Sequence, residues 1–257
     1  MGAAVNVLSS TPAIRSALAT LPAGAVWHAS QLAHGSGPVL PSGFAALDAE
    51  LPGGGWPANA LIELLVDRPG IGELSLLLPV LCTTPPERWL AWISPPFLPY
   101  APALVAAGIP LSRLLLIRPA EKEILWAARQ AVSSGACTAV LAWPQHIDTA
   151  GLRRLQLAAE DASTPLFLFR PRAAALQSSP APLRLILEGG SAAQQITILK
   201  RRGPPAAKAL HLPLHKLPAH AGLATDNTAD AECNPPSSLQ LAVEAPPPAP
   251  TTLALVR

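Results

Sequence analysis

The residues whose types and spacing could do chemistry are Asp67, Gly70, Gly72, Glu73 and Leu74, within the stretch LIELLVDRPGIGELSLLL from Leu61 to Leu78. Leu61 to Val66 has the length and composition of a buried strand. Asp67 to Gly72 breaks it, and Glu73 to Leu81 reads as an apolar helix. A strand, a glycine loop and a helix start are the parts of a phosphate-binding loop. Its pattern, G-x-x-x-x-G-K-[ST], needs the Lys to reach the β/γ-phosphates and the hydroxyl to hold Mg²⁺. Here Asp67 stands where the first Gly belongs, Gly72 is kept, Glu73 replaces the Lys and Leu74 replaces the hydroxyl. Two unit charges about 4 Å apart at an effective dielectric of about 20 interact by about 4 kcal/mol, so exchanging attraction for repulsion costs several kcal/mol. Backbone amides at a helix start favour an anion, but Asp67 and Glu73 already bring negative charge there. The stretch therefore predicts a degenerate nucleotide site with weak or absent nucleotide binding, no cofactor, and no catalysis.

Other polar residues offer less. Cys82, Cys137 and Cys233 are far apart, odd in number and without C-x-x-C spacing, which reads as inert thiols in a reducing compartment. His211 and His215 are four apart, but Pro213 between them breaks a shared helical face. Asp67, Glu73 and Asp48 could hold a metal in an unconventional nucleotide-dependent enzyme, although scattered carboxylates are ordinarily surface or cap residues. Lys200, Arg201 and Arg202, with Lys208, are the candidate contact for nucleic acid or a partner. A basic run beside a flexible segment can neutralise phosphates, and its plainer reading is a solvated strand end. Arg153 and Arg154 are weaker candidates. A net charge of +2 over 257 residues gives no support to a surface that tracks nucleic acid throughout.

The elements that must position these residues alternate along the chain. Ala13 to Leu21 suggests a short helix, and Val26 to Ala33 a docking segment anchored by Trp27. Ser42 reads as a helix cap, followed by a Phe44/Leu47/Leu51 stripe and a Gly53-Gly54-Gly55 turn. Trp89 to Ile93, Leu114 to Ile117, Thr138 to Trp143 and LFLFR after Pro165 read as strands. Ala103 to Ala107, Glu121 to Ser134 and Asp148 to Ala162, with Asp148 as its cap, read as helices. Pro95, Pro96, Pro99 and Pro102 make the segment between them a rigid loop, a candidate protein contact. LRLILE from Leu183 and QQITILKRR from Gln194 form a terminal antiparallel pair. Strand-helix alternation predicts an α/β fold with a mostly parallel sheet closed by this hairpin. From Gly203 onward Pro, Ala, Ser and Thr dominate, predicting a tail that cannot offset its ordering entropy. The resulting division is an N-terminal extension over 1–25, a core over 26–202 and a disordered Pro/Ala-rich tail over 203–257. Pro, Gly and charges interrupt every apolar run short of a membrane span, and the N-terminus lacks a signal-peptide pattern. The expected location is cytoplasmic.

The series LPSGFAALDAELPGGGWPANALIELLVDRPGIGEL, WLAWISPPFLPYAPALVAAGIPLSRLLLIRP and WAARQAVSSGACTAVLAWPQ resembles the RecA core in its order of segments, from Val26 to Arg202. It looks most like the ImuA family of RecA-like accessory proteins from bacterial mutagenesis cassettes, with the SulA-type cell-division inhibitors as relatives. The resemblance implies a RecA-like P-loop NTPase core. It also implies that the catalytic Glu of such ATPases is replaced by Pro96 and a second metal-associated acid by Trp143. The function it implies is a non-catalytic adapter in SOS-induced translesion DNA synthesis. The implied partners are an ImuB-like Y-family polymerase homologue, an error-prone DNA polymerase and RecA itself, with weak or indirect DNA contact and no membrane. The alternative is a SulA-type inhibitor whose target is the division tubulin.

Overall fold

A computed structural model of the chain describes residues 37–213 except 191, 192, 205 and 207. The predicted helix over 13–21, the docking segment over 26–33 and the tail beyond 213 lie outside the described residues. Val39–Leu40 (β1) and Trp56–Pro57 (β2) form a small antiparallel pair. The main sheet comprises Leu61–Val66 (β3), Trp89–Ile93 (β4), Leu114–Ile117 (β5), Cys137–Ala142 (β6), Leu166–Pro171 (β7), Leu183–Glu188 (β8), Ala193–Lys200 (β9) and Leu210–Pro213 (β10). Its order is β10-β9-β8-β3-β7-β6-β4-β5. From β8 to β5 neighbouring strands run parallel, while β9 and β10 are antiparallel, so the predicted parallel sheet and closing hairpin are both present.

Alternation along each strand divides the core into two faces. Ile62, Leu64, Trp92, Leu141, Phe167 and Phe169 meet Ala45–Asp48 (α1), Leu78–Cys82 (α2) and Leu104 of Ala101–Ala106 (α3). Leu61, Ile93, Val140, Ala142 and Leu168 meet Ile124–Ser133 (α4) and Thr149–Ala162 (α5). Central strands covered on both sides can be apolar at almost every position, which is why LIELLV and TAVLA read as continuous runs. Asp148 caps α5 as expected, its Oδ1 accepting from the Gly151 amide at 2.6 Å, a contact of a kind that contributes about 1 kcal/mol. Gln156 of α5 is buried, and its Oε1 accepts from the Leu61 amide at 2.8 Å, tying the helix to the start of β3.

Three local expectations are corrected. The helix predicted over 73–81 is a run of turns followed by the short α2. Gly70 and Gly72 are left-handed (φ 87° and 95°), and Ser75 and Leu77 donate three residues back, to Gly72 and Leu74. Pro79, lacking an N–H, suits the first turn of the helix and stands at the start of α2. Ser42 does not cap α1. Its hydroxyl accepts from the Phe44 amide at 3.1 Å, and Phe44 occupies the cap position. The sheet also continues past the change in composition at Gly203, because β10 pairs with β9 and buries Leu212.

Candidate functional site

In an open α/β sheet, ligands bind beyond the carboxyl ends of the parallel strands. The loops after β3, β4, β5, β6, β7 and β8 form that rim. After β3, the carboxylate of Glu73 folds back on its own loop. Both its oxygens accept from the Gly70 amide, at 2.8 and 3.1 Å, and the side chain is buried. A loop amide that could face an external anion is thus bonded to an internal one. Asp67, exposed, lies 3.3 Å from Arg172, which also bonds Glu188. An open cleft of about 840 Å³ separates the Asp67–Gly72 loop from Glu188–Gly190. Leu74 is half-buried and packs against the core.

The loop after β4 begins at Ser94, which is left-handed (φ 51°) and donates its amide to the Ile117 carbonyl at 2.8 Å. Pro96 is exposed, and beyond it Phe97, Leu98 and Tyr100 are 63%, 72% and 59% exposed, joined by Val105 of α3 at 59%. Phe97 lies beside the Asp67–Glu73 loop, its Cε2 3.8 Å from where a side chain on Gly70 would begin. At the end of β6, Trp143 is buried, stacked on Phe169 at 4.5 Å and 3°, with an edge contact to Trp92 at 6.2 Å. The aromatic group fills the space beneath the rim.

The basic candidates are placed differently from one another. Lys200 Nζ donates to the Ser179 carbonyl at 2.8 Å, and burial together with Arg184 lowers its pKa, Glu63 opposing. Arg201 pairs with the Glu50 carboxylate at 2.7 Å and donates to the Pro204 carbonyl at 2.6 Å. Arg202 lies 3.9 Å from Glu160, and Lys208 is exposed. Arg153 and Arg154 are exposed on α5. The carboxylates considered for a metal are separately engaged: Asp48 with the Ser42 amide at 2.9 Å, Asp67 with Arg172 and Glu73 with Gly70. Among the described residues no group of three ligating side chains converges.

One polar constellation was not anticipated. Glu63, fully buried on β3, accepts from Arg170 Nη1 at 3.0 Å, from Ser179 Oγ at 2.9 Å and from Arg184 Nε at 2.5 Å. Arg184 also donates to the Ala174 and Gln177 carbonyls, at 2.7 and 3.1 Å, and Arg170 to Gln177 Oε1 at 2.7 Å. Three charges lying within largely apolar strands were the available signal.

The family model described as cell division inhibitor SulA matches residues 61–165, from β3 to the residue before β7. The cell division inhibitor SulA of Edwardsiella piscicida is 34% identical over 122 residues, covering 46% of this chain and 73% of that protein. The chain belongs to the SulA family. A second SulA, from Photorhabdus laumondii, is 32% identical over 111 residues, covering 42% of this chain and 63% of its own length. The crystal structure of Pseudomonas aeruginosa SulA aligns with 26% identity and a TM-score of 0.37, over 43% of this chain and 97% of that one. A KaiC-like protein of Pyrococcus horikoshii aligns with 12% identity and a TM-score of 0.49, over 68% and 94%.

SulA membership overturns the expected role as a translesion-synthesis adapter. The ImuB-like homologue, the error-prone polymerase and RecA fall as expected partners with it. An order of core segments records how a sheet is wound rather than what docks on it. Among the described residues no helix is long and apolar enough to cross a membrane.

Proposed function

We propose that this chain is a SulA-type inhibitor of cell division in the SOS response, a binding protein without a reaction of its own, whose target is the division tubulin. The observation that carries the reading is the 34% identity to a cell division inhibitor over most of that protein's length. The contact surface in this reading is the apolar loop after β4, with Phe97, Leu98 and Tyr100. Rigid proline-framed loops present side chains at low entropic cost, and exposed large apolar groups in one place mark interaction sites. The Asp67–Leu74 loop is read as a degenerate phosphate-binding loop, supported by the Glu73 carboxylate on the Gly70 amide and by Trp143 beneath the rim.

Overproduction in a bacterial host is expected to produce filamentous cells, and the purified chain to reduce sedimentable division-tubulin polymer in the presence of GTP. Leu98→Asp is expected to abolish both effects with little change in melting temperature, because Leu98 is 72% exposed. Normal cell length with folded, abundant protein would refute the inhibitor reading. Full activity of the Leu98→Asp chain would refute the surface assignment alone.

A further inference from the structure

Strand β5, Leu114–Ile117, ends the sheet on the side away from β10, and no described strand pairs with its outer edge. The Ile117 carbonyl turns inward to the Ser94 amide, so strand alternation turns the N–H and C=O of Leu114 and Leu116 outward. Leu115 and Leu116 point to opposite faces of the strand and are 40% and 39% exposed. On the α4 face a groove of about 240 Å³ runs beside β5, lined by Trp89, Ala91, Leu115 and the exposed Trp126. Sheet edges are ordinarily blunted by shortness, a proline, a bulge or an inward charge, and of these β5 has only its length of four residues. LLLI contains neither a proline nor a charge.

The charges lie instead at the strand's two ends. Arg113 sits over the Trp89 ring, 5.1 Å from its centroid, and Arg118 is exposed. Neither has an ion pair among the described residues. A second copy added antiparallel about Leu115 and Leu116 would set Arg113 against Arg118 at each end, and like charges directly opposite are destabilising. An acidic-ended strand meets an arginine at each end in either direction. We propose that β5 is a docking edge for an extended segment of another protein, apolar at its centre and acidic at both ends. It adds as a ninth strand of the main sheet and seats one side chain in the Trp126 groove. Main-chain bonds along the edge supply affinity and the groove and arginines supply selectivity.

The test is calorimetric titration of the full chain with the peptides EDVLIVDE, KRVLIVRK and EDVPIVDE. The acidic peptide is expected to bind at least about tenfold more tightly than the basic one, and the proline peptide to bind measurably less, having lost an edge donor. Arg118→Glu, an exposed change that spares the Trp89 contact, is expected to weaken the acidic peptide and flatten its salt dependence. Leu115→Asp is expected to remove binding. Equal affinity for the acidic and basic peptides, no binding of the acidic peptide, or an unchanged titration in the Arg118→Glu chain would overturn the proposal. A dimer dissociated by Leu115→Asp would assign the edge to a second copy and overturn it too.

Discussion

Replacing Glu63 by Gln keeps the volume and removes the charge. Glu63 is fully buried, and its neighbours Arg170 and Arg184 are each about 5% exposed, so two guanidinium groups would be left inside the protein without a counter-ion. Breaking such a buried pair costs about 3–5 kcal/mol, most of it the cost of the stranded charge rather than the worth of the bond. For a domain of this size about 2–4 °C is lost per kcal/mol, so the expected fall in melting temperature is roughly 6–20 °C. Urea titration gives the free energy directly, with an unchanged slope if the native and unfolded states keep their compactness. A loss below about 1 kcal/mol would show that water or local rearrangement reaches the guanidiniums, and would refute the reasoning. Glu63→Leu with Arg170→Met and Arg184→Leu makes the complementary measurement. Apolar replacement of a buried triad is often neutral or stabilising, but here Arg184 also holds the Ala174 and Gln177 carbonyls. The triple variant should therefore regain global stability while amides between 172 and 182 exchange faster.

Two further outcomes are expected. A ligand at about 100 times its dissociation constant stabilises by about 2.7 kcal/mol. Excess Mg-ATP should nevertheless leave the melting temperature unchanged, and a clear upward shift would overturn the reading of Glu73 and Leu74. Burial raises the Cys137 thiol above its ordinary value of 9.0, with Arg88 and Ser134 opposing, and burial raises Cys82 in the same direction. The unfolded chain then releases these protons first, so their contribution is whole below about pH 9 and falls as pH rises through the folded values. Lys200, with its lowered pKa, works in the opposite sense. Comparing Cys137→Ala with the parent by urea titration across this range isolates the thiol, and identical pH dependence in the two chains would refute its role.

The central strands were legible because burial on both faces leaves a nearly uninterrupted apolar run, and β3, β4, β6 and β7 fall where those runs lie. The segment after Gly72 was misread because its leucines satisfy a helical period, while the left-handed glycines and Pro79 favour turns over its first part. Composition also hid β10, since LHLP is too short to carry a period and is stabilised by β9 rather than by its own propensity. The loop after β4 was recognisable as rigid from its prolines, but its proximity to Gly70 depends on the sheet order, in which only β7 and β6 lie between β3 and β4, and no local pattern states that order. Glu63, Arg170 and Arg184 were visible individually, and only the parallel register, Glu63 beside Arg184 and Leu65 beside Arg170, brings them together.

The pairing of β10 with β9 also bears on where the chain can be cut. A fragment ending before Leu210 would strip the covering strand from AQQITILK and bare an eight-residue edge in which Gln, Ile and Thr dominate, the kind of flat template on which copies stack. Leaving Leu210–Pro213 in place gives the described sheet an edge of four residues that finish on a proline. A truncation that is to stay soluble is thus expected to need a strand that lies beyond the point where the amino-acid composition turns tail-like.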